Sequence, residues 1–191
     1  MDTITSFTHS FTAPKKQELA LELVPLTPEN RDIILKKIGD TFSAYEPGMA
    51  TVGFTSQDVQ DHFLDLFDKS IKYNLGIVCQ EAKTKAPVGA IIMQDLYDRV
   101  DYTKPSKEFS EELKLKAKKF LHMMVPHIMK MKDFYKTQDK PQLVIAVSMI
   151  GIFEGYEGLG IMSKMIEFAV NGVPYARESP VFETVASNPG S

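Results

Sequence analysis

The segment that most narrows what this chain can fold into runs from Leu143 to Val170. Leu143 to Phe153 is an apolar run of 11 residues rich in branched side chains, which reads as a buried strand and is too short for a membrane span of about 20 residues. Glycines at 155, 158 and 160 follow. Met162, Met165, Ile166, Ala169 and Val170 then recur at helical steps, and Gly172 closes the helix. A buried strand delivered into a helix through a glycine-rich turn calls for a layered α/β domain. It also builds a place for an anion, because glycines admit a close ligand and the amides at a helix start offer donors and partial positive charge. Phosphate is the natural guest, although such turns also arise for purely geometric reasons. The loop is not a Walker loop, since no Gly-Lys-Ser/Thr follows, and no GxGxxG stands in the required register.

The rest of the chain supplies elements for such a domain. Glu18 to Leu26 alternates apolar residues before a turn and reads as a first strand. Thr27 and Pro28 open a helix over about 28–43, with Ile34, Ile38 and Phe42 four apart. After a break at Pro47 and Gly48, Thr55 caps a second helix whose Val59, Phe63, Leu66 and Phe67 form one stripe. Leu75 to Gln80 and Val88 to Met93, parted by the polar tract Glu81 to Lys85, make a hairpin. Ser106 to Lys132 is amphipathic on Leu113, Ala117, Phe120, Leu121, Met124 and Ile128, with a kink expected at Pro126. Val181 to Ala186 is a last short strand. The predicted order is β-α-α-β-β-α-β-α-β. One domain therefore spans 18–191, with a lysine-rich helical insertion at 99–140. Residues 1–17 read as a flexible Ser/Thr-rich tail without the marks of a signal peptide.

Charge and cysteine content exclude several functions. Twenty-two Lys plus Arg against 25 Asp plus Glu leave a net charge of -3, so no global field gathers nucleic acid. The lone Cys79 forms no internal disulfide and reads as a small buried hydrophobe. His122 and His127 stand five apart, off one helix face, so no metal is expected. A reducing, cytoplasmic setting without a membrane partner is the expectation. Lys104 to Lys140 holds ten Lys against five Asp plus Glu. That excess is either a solvated face whose stems cover apolar surface or a surface for an acidic partner. Met123, Met124, Met129 and Met131 read as core filling or as a partner groove.

On these residues the sequence resembles the GCN5-related N-acetyltransferases. Ile150, Ile152 and Tyr156 match the end of that family's coenzyme-binding strand, and Glu157-Gly158-Leu159-Gly160-Ile161-Met162, then Ser163, occupy its loop. Phe42 to Asp58 and Val88 to Asp95 resemble segments of the arylalkylamine N-acetyltransferase-like branch. The implied fold class is α/β (α+β): a central mixed, mostly antiparallel sheet flanked by helices, here truncated after the fifth strand. The implied activity is direct transfer of an acetyl group from acetyl-CoA, a co-substrate, to a small amine, in that branch an arylalkylamine. Main chain at Ile150 and Ile152 would hold the pantetheine, with an amide nearby for the developing oxyanion. Gly158 to Ser163 would hold the diphosphate, and Glu157 and Asn188 belong to the same coenzyme-binding set. Glu46 matches the branch's Glu-Pro carboxylate and would be the general base. Read without the resemblance, Glu46 is a carboxylate opening a turn before Pro47. Neither Tyr156 nor Tyr175 matches the family's general acid.

Three departures motivate a second reading. Glu157 stands where the family carries Arg or Gln, and Met162 where it carries a small residue. Met162 is therefore expected to turn inward along the Met165, Ile166, Ala169 stripe. The sequence stops just after the fifth strand, where the family continues with a helix carrying a Tyr general acid and two further strands, so that strand is expected to be covered by another segment, a partner chain or a second copy. The alternative function is a degenerate acetyltransferase fold acting as a structural or assembly subunit without catalysis.

Overall fold

Alternating apolar side chains build one sheet in which neighbours in sequence are neighbours in space. The computed structural model of the chain describes residues 7–96, 100–101, 105–136, 144–171 and 182–184. Strands β1 (His9–Ala13), β2 (Lys16–Pro25), β3 (Gly76–Glu81), β4 (Pro87–Asp95) and β5 (Ile145–Ile152) pair antiparallel in that order. β6 (Phe182–Thr184) then joins β5 in parallel. Helices α1 (Pro28–Tyr45), α2 (Pro47–Val52) and α3 (Ser56–Lys72) connect β2 to β3, α4 (Glu111–Lys136) lies between β4 and β5, and α5 (Ile161–Asn171) follows β5. The mixed, mostly antiparallel sheet flanked by helices is the expected fold class.

Period-two alternation gives each face of the sheet its own core. Val78, Ala90, Ile92 and Met149 face α1, α3 and α4, meeting Ile34, Ile38, Val59, Phe63, Leu66, Phe67 and Phe120. Leu21, Leu23, Ile77, Cys79, Ile91, Met93 and Ile145 face the other way and are covered by Ile161, Met165 and Ala169 of α5. Thr55 and Asp58 close a capping box at the start of α3. Lys116 of α4 then clamps Asp58 at 2.8 Å while also reaching Glu112 at 2.7 Å. Burial pushes the Asp58 carboxyl up, but Lys116 and the Thr55 groups outweigh it, so its pKa is lowered.

The structure departs from the sequence reading in four places. The tail expected at 1–17 contains β1 and the start of β2, because Phe7, Phe11 and Ala13 among the Ser and Thr residues pack onto the α5-side core. Residues 1–6 lie outside the described set. The break at Pro47 and Gly48 is a short helix, α2, too brief to show a period. α4 starts at Glu111 and runs as continuous helix through Pro126. On α5 the buried stripe is Ile161, Met165 and Ala169, whereas Ile166 and Val170 are exposed. Met165 and Ala169 of the expected stripe do face inward, Ile161 joins them, and Met162 is left half-buried at their side. No helix among the described residues is long and apolar enough to cross a membrane.

One buried group ties stability to pH. His62 of α3 is 2% exposed, its ring set edge-on to Phe63 at 4.6 Å and to Phe54 at 5.7 Å, with Phe120 at 6.2 Å. Burial pushes its pKa down to about 4, from 6.5. Between those values the unfolded chain binds a proton that the folded chain refuses, so stability is full above pH 6.5 and declines as pH falls toward 4. The decline amounts to about 3 kcal/mol from this group. Urea unfolding of His62→Met at several pH values is expected to lack this component of the pH slope. An identical slope in both proteins would remove the assignment.

Candidate functional site

The site begins with an irregularity in β5. Ile92 pairs with Met149, but Met93 pairs with Val147, so Ser148 is an extra residue bulged out of the β4–β5 ladder. The bulge reverses the alternation along the strand: Ile145 and Val147 before it, and Ile150 and Ile152 after it, all belong to the α5-side core. Met149 and Gly151 therefore face α1. Ser148 Oγ accepts from Gln94 Nε2 at 2.6 Å, and Gln94 Oε1 accepts from Val100 N at 2.9 Å, which satisfies a side chain only 1% exposed. The same place marks the end of β6. Its register to β5 stops at Val147 opposite Thr184, so beyond that point the described residues leave Ser148 to Ile152 without a ladder partner on that side.

The end of β5 leads into the glycine loop. Gly155, Gly158 and Gly160 all have positive φ, at 89°, 71° and 76°, which L side chains resist. A Cβ at Gly155 or Gly158 would meet nothing within 4 Å, so this part of the loop faces open space. Gly160 lies under the β1–β2 turn: a Cβ there would stand 3.3 Å from Pro14, and Lys15 N donates to Leu159 O at 3.3 Å. α5 then starts at Ile161 behind Gly160, a residue with no side chain to cap it. Glu157 is exposed and its carboxylate accepts from the Gly155 amide at 2.8 Å. Tyr156 reaches from the loop to donate to Glu81 Oε1 at 2.8 Å. Burial first, and then that carboxylate, raise the Tyr156 phenol above its ordinary range. Thr84 and then Tyr156 hold Glu81 below its own.

Glu46 ends the helix that packs on the other face of β5. A Cβ at Gly151 would stand 3.2 Å from the Phe42 ring and 3.5 Å from Ile38, so α1 crosses β5 there in close contact. Four residues on, one helical turn or about 6 Å along the axis, the chain reaches Glu46. Glu46 is half-buried, and its Oε2 accepts from Met49 N at 2.5 Å, capping α2. Gly48 lets this happen: a Cβ there would lie 3.1 Å from Glu46 Oε2 and 3.4 Å from the Phe120 ring. Tyr45 stands exposed next to it.

The chain thus runs from Ile150 and Ile152 into the loop from Glu157 to Ser163 as one continuous path, and Glu46 stands one helical turn beyond the α1 contact with Gly151. Met162 is half-buried and Ser163 exposed. Asn188 and Tyr175 lie outside the described residues. Cys79 is fully buried, its thiol pushed up to about 12, which makes it inert. Among the described residues no group of three or more His, Cys, Asp or Glu could hold a metal. Three elements of the site were not read from the sequence: the Ser148 bulge with its Gln94 support, the β1–β2 turn over Gly160, and the Glu157 contact. The bulge leaves no mark in a run where every other residue is also apolar. A Ser between Val147 and Met149 was its single signal.

No protein-family model matches the sequence, and no curated protein does. Solved structures do match its fold. An arylalkylamine N-acetyltransferase 7, so described provisionally, from the yellow fever mosquito Aedes aegypti aligns at TM-score 0.64 and 15% identity over 92% of this chain and 70% of its own. The C-terminal condensation domain of Ebony, in complex with beta-alanyl-dopamine, aligns at TM-score 0.67 and 20% identity over 90% and 78%. Arylalkylamine N-acetyltransferase 2 from Aedes aegypti aligns at TM-score 0.59 and 17% identity over 78% and 68%. The fold of this chain is that of the arylalkylamine N-acetyltransferases, the GCN5-related acetyltransferase fold.

The loop geometry is testable by stability alone. Alanine at Gly158 meets only the positive-φ penalty of about 1 kcal/mol. Alanine at Gly160 carries the same penalty and also presses on Pro14, which adds about 1 kcal/mol more. Urea midpoints are expected to rank Gly160→Ala as clearly more damaging. Equal losses would mean that the β1–β2 turn does not rest on the loop.

Proposed function

We propose that this chain is an acetyl-CoA-dependent N-acetyltransferase acting on a small amine of the arylalkyl class. The observation that carries the reading is the exit of β5: past the Ser148 bulge the strand runs directly into a loop of positive-φ glycines, and α5 starts behind Gly160, which has no side chain to cap it. Main chain at the end of such a strand can bond an extended amide-bearing chain, and such a helix start offers amides to a diphosphate. In this reading Ile150 and Ile152 bond the pantetheine through their main chain, and Gly158 to Ser163 receive the diphosphate. The bound co-substrate supplies an acetyl thioester. Glu46 takes the proton from the amine, which leaves a neutral nucleophile, and its bond from Met49 N–H fixes the carboxylate toward that task. Fixed placement of both reactants supplies much of the rate. Tyr45, Phe42 and Phe120 near Glu46 favour an aromatic amine. The fold neighbours support the same class, since beta-alanyl-dopamine is itself the amide of an arylalkylamine.

One observation favours the non-catalytic reading. The Glu157 carboxylate already accepts from the Gly155 amide and adds negative charge at the mouth of the loop. At ~4 Å its repulsion of a phosphate is of order 1 kcal/mol in water and grows in a drier setting.

Two variants separate the readings. Glu46→Gln keeps an oxygen acceptor for Met49 N–H, so melting is expected to stay unchanged while kcat with a panel of arylalkylamines falls about 10²- to 10⁴-fold. Turnover equal to wild type removes the base assignment. Glu157→Gln is expected to lower the KM for acetyl-CoA about fivefold by removing one repulsion of order 1 kcal/mol. If neither protein turns over and neither is protected by the coenzyme, the scaffold reading stands.

A further inference from the structure

The chain carries a second surface that acetyl transfer does not use. α4 buries Leu113, Ala117 and Phe120 against the domain. At 100° per residue, Leu115, Lys118, His122, Val125 and Met129 share a strip about 80° wide on the opposite side. All five are exposed, Leu115 at 55% and Val125 and Met129 at 48% each. Lys119 and Lys130 flank the strip and are exposed as well. From Leu113 to Lys132 the sequence has six lysines and no Asp or Glu, in a chain whose net charge is -3. Lys114 and Lys116 are engaged with Glu111, Glu112 and Asp58. Among the described residues no carboxylate pairs with Lys118, Lys119 or Lys130. The helix thus presents a convex, cationic strip about 21 Å long from Leu115 to Met129, studded with aliphatic side chains.

We propose that this face of α4 docks on an anionic lipid headgroup surface. Three features favour lipid over an acidic protein. The crest is convex and holds no Trp, Tyr or Arg, the side chains that anchor protein interfaces. Its cations are all Lys, and no Arg occurs from 100 to 176; Lys acts as a point charge in a diffuse field, whereas paired recognition of carboxylates favours Arg. Isolated aliphatic side chains between long lysine stems suit shallow burial at the headgroup boundary, where the stems snorkel. This differs from a membrane-spanning role, which no described helix can fill. The proposal stands or falls independently of the acetyl-transfer reading.

The test is co-sedimentation of the full chain with large unilamellar vesicles. Binding is expected to vesicles of phosphatidylcholine with 30% phosphatidylserine and not to phosphatidylcholine alone, and to be lost when salt rises to 0.5 M. Each lysine near such a surface contributes about a fivefold factor, so Lys118→Gln/Lys119→Gln/Lys130→Gln is expected to bind about a hundredfold more weakly. Lys37→Gln/Lys83→Gln, exposed lysines on other elements, is expected to bind like wild type. Circular dichroism of every variant serves as the folding control. Absence of binding to the phosphatidylserine vesicles, or binding that survives the triple substitution, overturns the proposal. Retention on polyglutamate beads without vesicle binding also overturns it and assigns the face to an acidic protein.

Discussion

The Ser148 bulge in β5 is the constraint on which the rest of this structure depends. On the β4 side the strand is bonded along its length except at the Ser148 bulge; on the β6 side the described pairing ends at Val147. The bulge does two things at once. It returns Ile150 and Ile152 to the α5-side core just before the glycine loop begins, and it rotates Gly151 toward α1, so that the Phe42 ring can press against the strand. Without the shift in alternation, Ile150 or Ile152 would face α1, and a branched side chain would occupy the space that Phe42 takes. The position of Glu46 follows from that contact, since it stands one turn beyond Phe42.

The electrostatics of the site pull in two directions. Positive-φ glycines and a helix start that Gly160 cannot cap with a side chain make the loop receptive to an anion. Glu157 supplies an anion of its own. Both Glu157 and the Gly155 amide are exposed, so solvent screens the interaction and an incoming diphosphate has only a weak bond to displace. The scaffold reading requires more than that: a loop that stays closed to phosphate, whereas the space beside Gly155 and Gly158 is open.

Much of this was legible in the sequence, for identifiable reasons. The β5-loop-α5 unit was readable because a long apolar run, three glycines and a helical period stand side by side. The helices α1 and α3 were readable from Thr27-Pro28 and Thr55 as caps and from stripes four residues apart. β1 was missed because its Ser and Thr residues resemble a tail until Phe7 and Phe11 find α5 to cover them. α2 has only six residues, less than two turns, and its maker, Glu46, serves equally as a turn opener. On α5 the inward Met165 and Ala169 were legible, but apolar residues occupy 161, 162, 165, 166, 169 and 170, and only packing against β3 and β5 puts Ile161 inward and Ile166 and Val170 outward. At the site, residue identities and loop boundaries were legible. The bulge, the turn over Gly160 and the Glu157 contact were not, since each depends on register or on long-range contact.

The central claim is that the amides at the head of α5 accept a nucleotide diphosphate despite Glu157. Calorimetric titration of acetyl-CoA into the purified full chain tests it most directly. A saturable single-site heat with a dissociation constant of about 1 to 100 µM is the predicted result. Absence of any heat with coenzyme at millimolar concentration would contradict the account and leave the chain an acetyltransferase fold put to another use.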